Sequence, residues 1–195
     1  MRTFRQTWTA VRALLILTVV LGIGYPLAIT GIGQLALNNN ANGQLVRVDD
    51  EVVGSALIGQ SFADADGVAL PEWFQSRPSA AGYNAAASSG SNYGPENEDL
   101  LAAIDERQAA IEELDGVTLA EIPGDALTAS ASGLDPHISP EYARLQVPRV
   151  AEARGLSEQE VSDLVESMVQ GRDLGYLGEP TVNVLLLNIA LAKLG

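Results

Sequence analysis

The chain has 195 residues, a mass of 20.5 kDa, 25 acidic and 11 basic side chains, and a formal net charge of −14. It contains no cysteine and one histidine, which excludes disulfides, iron–sulfur clusters, cysteine-bound zinc, thiol nucleophiles and the usual multi-histidine metal centre. Nucleic acid is not an expected partner, because phosphate repels an acidic surface. The only lysine, Lys193, lies near the C-terminus, so the sequence contains no P-loop.

Charge is distributed unevenly along the chain. Arg2, Arg5 and Arg12 are the only charged side chains before Arg47, and all 25 acidic residues lie from Asp49 onward. The chain after residue 46 therefore has a formal side-chain charge of −17, from 25 acids and 8 bases. A basic tip followed by an acidic remainder indicates that the two ends face different surroundings.

An uncharged apolar stretch runs from Ala13 to Leu37. Its 25 residues exceed the roughly 20 that a helix needs to cross the hydrocarbon core of a bilayer. Because arginines precede the stretch and none closely follows it, we predict a cytoplasmic tip (1–12), a transmembrane helix (13–37) and an extracytoplasmic acidic domain (38–195). The expected location is the cell membrane, as a single-pass protein.

A cleaved signal peptide is the alternative to a retained anchor. The basic tip and the apolar run up to Ile23 suit a signal peptide. Hydrophobicity continues past Pro26, however, and no clear A-x-A cleavage site follows. These two features favour a retained anchor.

Three small residues, Gly24, Ala28 and Gly31, fall on one face of the predicted transmembrane helix. Small residues at this spacing allow a second helix to approach closely. Ordinary transmembrane composition is the competing interpretation, because glycine is common in such helices. Pro26 is expected to bend the helix locally.

The acidic domain begins with a polar segment, Asn38–Gly43, that we expect to be a loop. Leu45–Val53 has short β-branched stretches with a turn at Asp49–Asp50, and Ser55–Phe62 is predicted to continue as a strand. Trp73–Phe74 provides an apolar anchor.

A glycine- and serine-rich stretch, Ala80–Pro95, shows neither helical nor strand periodicity. A loop of this length is either functional or mobile, and its backbone groups could bind an ion or a partner. The alternative is a structural loop packed by Tyr83 and Tyr93.

The first helix of the acidic domain is predicted over Asn97–Leu114, with Asn97 as its cap and Gly116 as its stop. Its apolar side chains are expected to share one buried face: Leu100, Leu101, Ile104, Ile111 and Leu114.

Two further helices follow. One starts at Ser139 with Pro140 in the first helical position, and Pro148 interrupts it. Another starts at Ser157, where Glu160 completes a capping box. The side chains of the helix starting at Ser157 that are expected to face inward are Val161, Leu164, Val165 and Met168.

The last apolar run, Val182–Leu194, is too short to span a bilayer. It is expected to be a core strand, a helix, or one of these leading into the other. The predicted fold class is therefore α+β: a single N-terminal transmembrane helix followed by one mixed α/β domain outside the membrane.

No arrangement of catalytic residues stands out. The helix–Gly–helix run Arg149–Val165 looks superficially like a DNA reader, but its acidic second helix would face phosphate. A hydrolase would need Ser132 or Ser139 near Asp135 and His137, yet no G-x-S-x-G turn occurs. Turn and cap hydrogen bonds are the favoured roles for these residues. Acid pairs lack EF-hand spacing, so we predict no metal site.

Five blocks of sequence, in the same order, resemble the KdpC family, the small subunit of the Kdp potassium-transporting P-type ATPase. The resemblance covers nearly the whole chain, and the blocks are Tyr25–Leu37, Val52–Phe62, Arg77–Asn97, Thr128–Leu156 and Leu174–Leu191.

The resemblance implies a non-catalytic subunit that sits with a channel-like potassium-binding subunit and a P-type ATPase subunit, in contact with membrane lipid. It implies a catalytic chaperone that stabilises the complex and raises the ATP affinity of the ATPase subunit. It links Gln146 to nucleotide contact, with ATP in a transient complex with the ATPase subunit and no tightly bound cofactor. The predicted topology places Gln146 outside the cell, so an ATP effect would require conformational coupling.

Two function classes remain open from the residues themselves. One is an accessory subunit of a cation pump, whose acidic domain could raise the local cation concentration near the potassium entrance. The other is an independent membrane-anchored binding module or hydrolase at the cell surface.

Overall fold

The computed structural model describes residues 2–194. It separates into two compact units, one up to Leu45 and one from Val46 onward. The fold is mixed helix and strand, as predicted.

The first unit is dominated by one long helix, Arg2–Ala36, which is apolar enough to cross a membrane and is unburied throughout. It consists of α1 (Arg2–Val19), a π-helical turn (Val20–Gly24) and α2 (Tyr25–Ala36). The prediction of one N-terminal helix of membrane-spanning length is confirmed, although the helix begins well before Ala13 and ends just before Leu37.

The π turn lies directly before Pro26. Proline has no N–H to donate to the carbonyl four residues earlier, and its ring clashes with that carbonyl. The wider turn accommodates both problems, since the Tyr25 N–H bonds to the Val20 oxygen five residues back. The local bend expected at Pro26 thus takes the form of a π bulge.

The polar segment Asn38–Gly43 is not simply a loop, which corrects the sequence prediction. Asn38–Ala41 forms a short helix, α3. Side-chain amides explain the helical turn: Asn42 donates to the Gln34 Oε1 atom at 3.1 Å, and Asn38 donates to the same oxygen at 3.1 Å.

A two-stranded hairpin of β1 (Leu45–Val48) and β2 (Glu51–Ser55) lies at the start of the second unit, and only Leu45, its first residue, falls in the first unit. Asp49 and Asp50 both have positive φ and form the turn, as predicted. The predicted strand over Ser55–Phe62 is wrong, because β2 ends at Ser55 and residues 56–62 have no strand pairing. The Ser55 hydroxyl accepts a bond from the Leu57 N–H at 3.1 Å, which turns the chain instead.

Helix α4 (Glu98–Asp115) is capped by Asn97, whose side-chain oxygen accepts bonds from the Asp99 and Leu100 N–H groups at 2.8 and 3.2 Å. Of its predicted apolar face, Ile111 is buried and Ile104 packs against the core. Leu101 was wrongly placed inward, since half of it is exposed.

A 3₁₀ turn (Leu119–Glu121) follows α4, and after it come α5 (Gly124–Leu127), α6 (Pro140–Leu145), α7 (Val147–Arg154) and α8 (Glu158–Met168). The predicted break near Pro148 occurs at Gln146, and Pro148 lies in the first turn of α7, where its missing N–H costs nothing. The capping box of α8 is confirmed, because the Glu160 N–H donates to the Ser157 hydroxyl at 3.3 Å and the Ser157 N–H donates to the Glu160 carboxylate at 3.1 Å.

The C-terminal run forms a strand that leads into a helix, one of the three predicted outcomes. Strand β4 (Val182–Asn183) pairs antiparallel with β3 (His137–Ile138), and α9 (Val184–Leu191) follows at once. Helix α8 contacts α6, α7 and α9. The core between these elements contains fully buried side chains that include Phe74, Ile138, Val150, Val161, Val165, Leu187 and Leu191.

Candidate functional site

Residues 71–77, which we call the central segment, have no regular secondary structure but accept and donate many side-chain hydrogen bonds. Phe74, at its middle, is completely buried. A buried backbone that belongs to neither helix nor sheet must find other partners for its N–H and C=O groups. In this protein the partners are side chains.

Two side-chain amides each satisfy both backbone groups of one residue. Asn188 accepts a bond from the Phe74 N–H and donates to the Phe74 carbonyl, both at 2.9 Å. Gln146 accepts from the Gln75 N–H at 2.7 Å and donates to the Gln75 carbonyl at 3.2 Å. We call these the two amide pairs. Each reproduces with one side chain the bonding that a neighbouring β-strand would provide.

Arg149 extends the bonding along the central segment. Its guanidinium donates to the carbonyls of Pro71 and Trp73 at 2.6 and 3.0 Å, and to Gln146 Oε1 at 2.6 Å. Asp115 accepts its fourth bond at 2.7 Å, and both side chains are nearly inaccessible. Burial raises the pKa of Asp115 and outweighs the opposing effect of Arg149. All these bonds together fix the central segment to α4, α7 and α9.

Arg154 contacts two further residues of the central segment, Trp73 and Glu72. The Arg154 guanidinium lies 4.2 Å from the centre of the Trp73 ring, in a cation–π contact, and donates to the Glu72 carbonyl at 2.7 Å. The predicted apolar anchor at Trp73–Phe74 is therefore present, and arginine and amide side chains surround it.

Gln146, linked to nucleotide by family resemblance, is fully buried. Both atoms of its amide are engaged, since Nε2 also donates to the Tyr142 carbonyl at 3.3 Å. A direct bond from this side chain to a ligand would require these contacts to break. The structure therefore assigns Gln146 a structural place, and its connection to ATP stays a prediction.

The residues of the hydrolase alternative are engaged in turns and caps. The Asp135 carboxylate accepts a bond from the His137 N–H at 3.0 Å and pairs with Arg77 at 2.9 Å. The Ser132 hydroxyl accepts from the Leu134 N–H at 3.1 Å. The Ser139 hydroxyl caps α6 by accepting from the Tyr142 N–H at 3.0 Å. This is the structural role that the sequence favoured.

The long loop at Ala80–Pro95 packs against residues 130–133. The Ser89 N–H and the Ser88 hydroxyl both donate to the Ser132 carbonyl, at 3.0 and 2.9 Å. Gly133 has a φ of +66° and passes so close that an added Cβ would lie 2.6 Å from the Ser89 carbonyl. Tyr83 anchors the loop through a bond to the Arg77 carbonyl, whereas Tyr93, predicted to pack it as well, is 45% exposed.

The small-residue face of the long helix is open. Gly24 and Ala28 are exposed and Gly31 is half-buried, but a Cβ placed on Gly31 would meet no atom within 4 Å. Nothing in the described part of the first unit packs on this face, so whether it binds a second helix stays a prediction.

Sequence reasoning missed the functions of Asn188, Arg149 and Gln75. The available signal was polarity in apolar surroundings: Asn183 and Asn188 interrupt an apolar run, and a buried amide needs partners. Asn183 caps α9 and also donates to the Ala56 carbonyl at 2.8 Å. Across residues 2–194 no three acidic or histidine side chains are grouped so as to hold a metal ion.

Comparison with known proteins gives consistent matches. A family model described as KdpC, K⁺-transporting ATPase, c chain, matches residues 7–193. The potassium-transporting ATPase KdpC subunit of Kineococcus radiotolerans is 55% identical over 189 residues, which cover 96% of this chain and 93% of the relative. That of Caulobacter vibrioides is 56% identical over 178 residues, covering 89% and 86%. That of Mycobacterium tuberculosis is 52% identical over 195 residues, covering 97% and 99%.

Replacing Gln146 by alanine should lower the free energy of unfolding by about 2–4 kcal/mol, because it leaves Gln75 and Arg149 groups unpaired in the core and opens a cavity. Urea unfolding of the detergent-solubilised full chain, followed by tryptophan fluorescence, measures this. Gln159→Ala is the control, since Gln159 is exposed and bonds only to Asp163. Equal midpoints for the two variants would show that the Gln146 pair does not hold the segment.

Stability at low pH should depend on Asp135. Burial acts to raise the pKa of Asp135, but bonds from His137 and Arg77 outweigh it and hold the pKa below its ordinary value. A carboxylate with a lowered folded pKa stabilises the protein above its unfolded pKa, near 3.9, and loses that effect as pH falls through the folded value. Asp135→Asn should therefore flatten the acid side of the stability curve, measured as urea midpoints between pH 2 and 6. An unchanged acid slope would contradict this.

Proposed function

The chain belongs to the KdpC family, the c chain of K⁺-transporting ATPases, and on that premise we propose that it is a non-catalytic accessory subunit of an ATP-driven potassium-uptake pump. The observation that carries the proposal is the family match over residues 7–193, which leaves almost no part of the chain outside it. The proposed partners are a channel-like potassium-binding subunit and a P-type ATPase subunit, which hydrolyses the ATP.

The bonding of the second unit supports a role without chemistry of its own. The buried polar side chains Gln146, Arg149 and Asn188 bond to backbone groups of the central segment or to each other. A catalytic site needs polar groups that are oriented but available to a substrate. Here these groups determine the shape of the unit instead, which suits a subunit that acts by contact.

We further propose that the long helix anchors the subunit in the cell membrane as a single pass, with the N-terminus in the cytoplasm. Support comes from the apolar helix Arg2–Ala36 and from the three arginines in its first 12 residues. The acidic unit then lies outside the cell, where its formal charge of −17 attracts cations.

For the effect on ATP affinity we propose conformational coupling, with Gln146 as a positioning residue. The proposal follows from its complete burial and its bonds to Gln75 and Arg149. On this account the central segment transmits the effect, so the two amide pairs should act alike on the pump.

The pump itself tests the function. Potassium-stimulated ATPase activity should require this chain although the chain supplies no catalytic group, so purified complex made without it should lose assembly, ATP affinity, or both. Normal potassium-driven turnover in its absence would overturn the assignment. The measurement is phosphate release against potassium and ATP concentration, with and without co-expression of the chain.

The coupling proposal is tested by comparing Gln146→Ala with Asn188→Ala in the assembled pump. Coupling through the central segment predicts that both variants raise the KM for ATP several-fold, because each removes the side chain that bonds one of two consecutive residues in this segment. A raised KM with Gln146→Ala alone would favour direct nucleotide contact. Unchanged kinetics in both variants would remove the central segment from the ATP effect.

The small-residue face is tested by Gly24→Leu and Gly31→Leu. Each should lower recovery of the complex from detergent by blocking close helix approach, while insertion is retained because leucine is more apolar. Gly22→Leu is the matched control, since Gly22 lies about half a turn from Gly24 and an added Cβ there meets only Thr18, at 3.9 Å. If the control and the two test variants behave alike, the face is not an interface.

A further inference from the structure

Residues 170–181 form a second hairpin that the sequence did not predict. Its base is closed by Gln170 and Thr181, whose N–H and C=O groups exchange bonds at 2.8 and 3.0 Å. Nearer the tip, Asp173 and Leu177 exchange two bonds, both at 2.9 Å. Every residue from 171 to 179 is exposed. We call residues 171–179 the exposed hairpin: its backbone is ordered by hydrogen bonds although no part of it is buried.

The tip is a turn in which leucine occupies an unfavourable position. Leu174 and Gly175 have φ angles of +52° and +82°, and the Tyr176 N–H bonds to the Asp173 carbonyl at 3.2 Å. Positive φ at both central positions is characteristic of a type I′ turn, in which asparagine, aspartate or glycine is favoured at the first of the two. Leucine there strains the backbone, and it gains no burial in return, since 82% of it is exposed.

The same tip exposes a group of large apolar side chains. Tyr176 is 70% exposed and Leu177 is 49% exposed, next to Leu174. Scattered exposed apolar residues are ordinary, but three within four positions concentrate exposed apolar surface at the tip of a hydrogen-bonded hairpin. A binding element that is already ordered avoids much of the entropy cost of association, and tyrosine is enriched among residues that dominate binding energy.

Charge indicates what the tip would bind. Asp173 lies in the turn, Arg172 is paired with Glu179, and the unit as a whole is strongly acidic. An anionic lipid surface repels such an element. An apolar socket with a basic rim on a protein suits both its apolar tip and its charge.

We propose that the exposed hairpin is a docking element that inserts Leu174, Tyr176 and Leu177 into an apolar, basic-rimmed socket on another subunit of the pump. The inference rests on the proposed function, which supplies the partner subunits. It explains why the turn has leucine where its backbone favours asparagine: the side chain is buried in the partner rather than in this chain.

Leu174→Asn separates docking from folding, because its two expected effects have opposite signs. Asparagine suits the left-handed turn, so the thermal midpoint of the full chain in detergent should stay the same or rise by about 2 °C. Co-purification of the partner subunits should fall at least about fivefold. Leu119→Asn is the control, at a leucine that is 50% exposed and lies outside the hairpin. Unchanged recovery with Leu174→Asn, or an equal loss with the control, would overturn the proposal.

The absence of cysteine allows a second test that distinguishes protein from lipid. Tyr176→Cys places a single polarity-sensitive fluorophore on the tip of the full chain. Its emission should match that of water-exposed dye in vesicles of mixed zwitterionic and anionic phospholipid, and should shift to the blue on assembly with the partner subunits. A blue shift in vesicles alone, or none on assembly, would overturn the proposal. Failure of the unlabelled wild-type chain to assemble would instead contradict the proposed function.

Discussion

The second unit depends on one constraint: the backbone around fully buried Phe74 belongs to no helix or sheet, and its polar groups must still be bonded. Two amide pairs, from Asn188 and Gln146, supply those bonds for consecutive residues. Arg149 donates to the carbonyls of Pro71 and Trp73, and its charge is neutralised by buried Asp115. Loss of one partner would leave another polar group unpaired in the core, which is costly, so the set is retained or lost as a whole.

That constraint bears directly on function. Amide, guanidinium and carboxylate groups are the usual materials of an active site, and in this unit they hold the backbone. The chain is a KdpC subunit of a K⁺-transporting ATPase by family, and the accessory role that we propose requires no catalytic group from it. Two features are unused by its own fold: the open small-residue face around Gly31 and the apolar tip around Tyr176. Both are accounted for if partner subunits cover them.

Local features could be predicted from the sequence, and long-range ones could not. The caps at Asn97, Ser139 and Ser157 are confirmed because a cap depends on residues two or three positions away. In the amide pairs, Gln146 lies 71 positions from Gln75 along the chain, and Asn188 lies 114 positions from Phe74. No local pattern identifies the partner of a buried amide. The predicted strand over Ser55–Phe62 failed for a local and a long-range reason: the Ser55 hydroxyl turns the chain, and beyond it the Gly59 N–H donates to the distant Leu134 carbonyl.

The central claim is that side chains replace a β-strand in holding the central segment, and hydrogen exchange of individual amides measures this most directly. In the full chain in detergent, the amide protons of Phe74 and Gln75 should exchange as slowly as those of α7, because each is bonded to a buried side-chain oxygen, at 2.9 and 2.7 Å. Exchange of these two amides as fast as that of exposed loop residues near Ala86 would contradict the account.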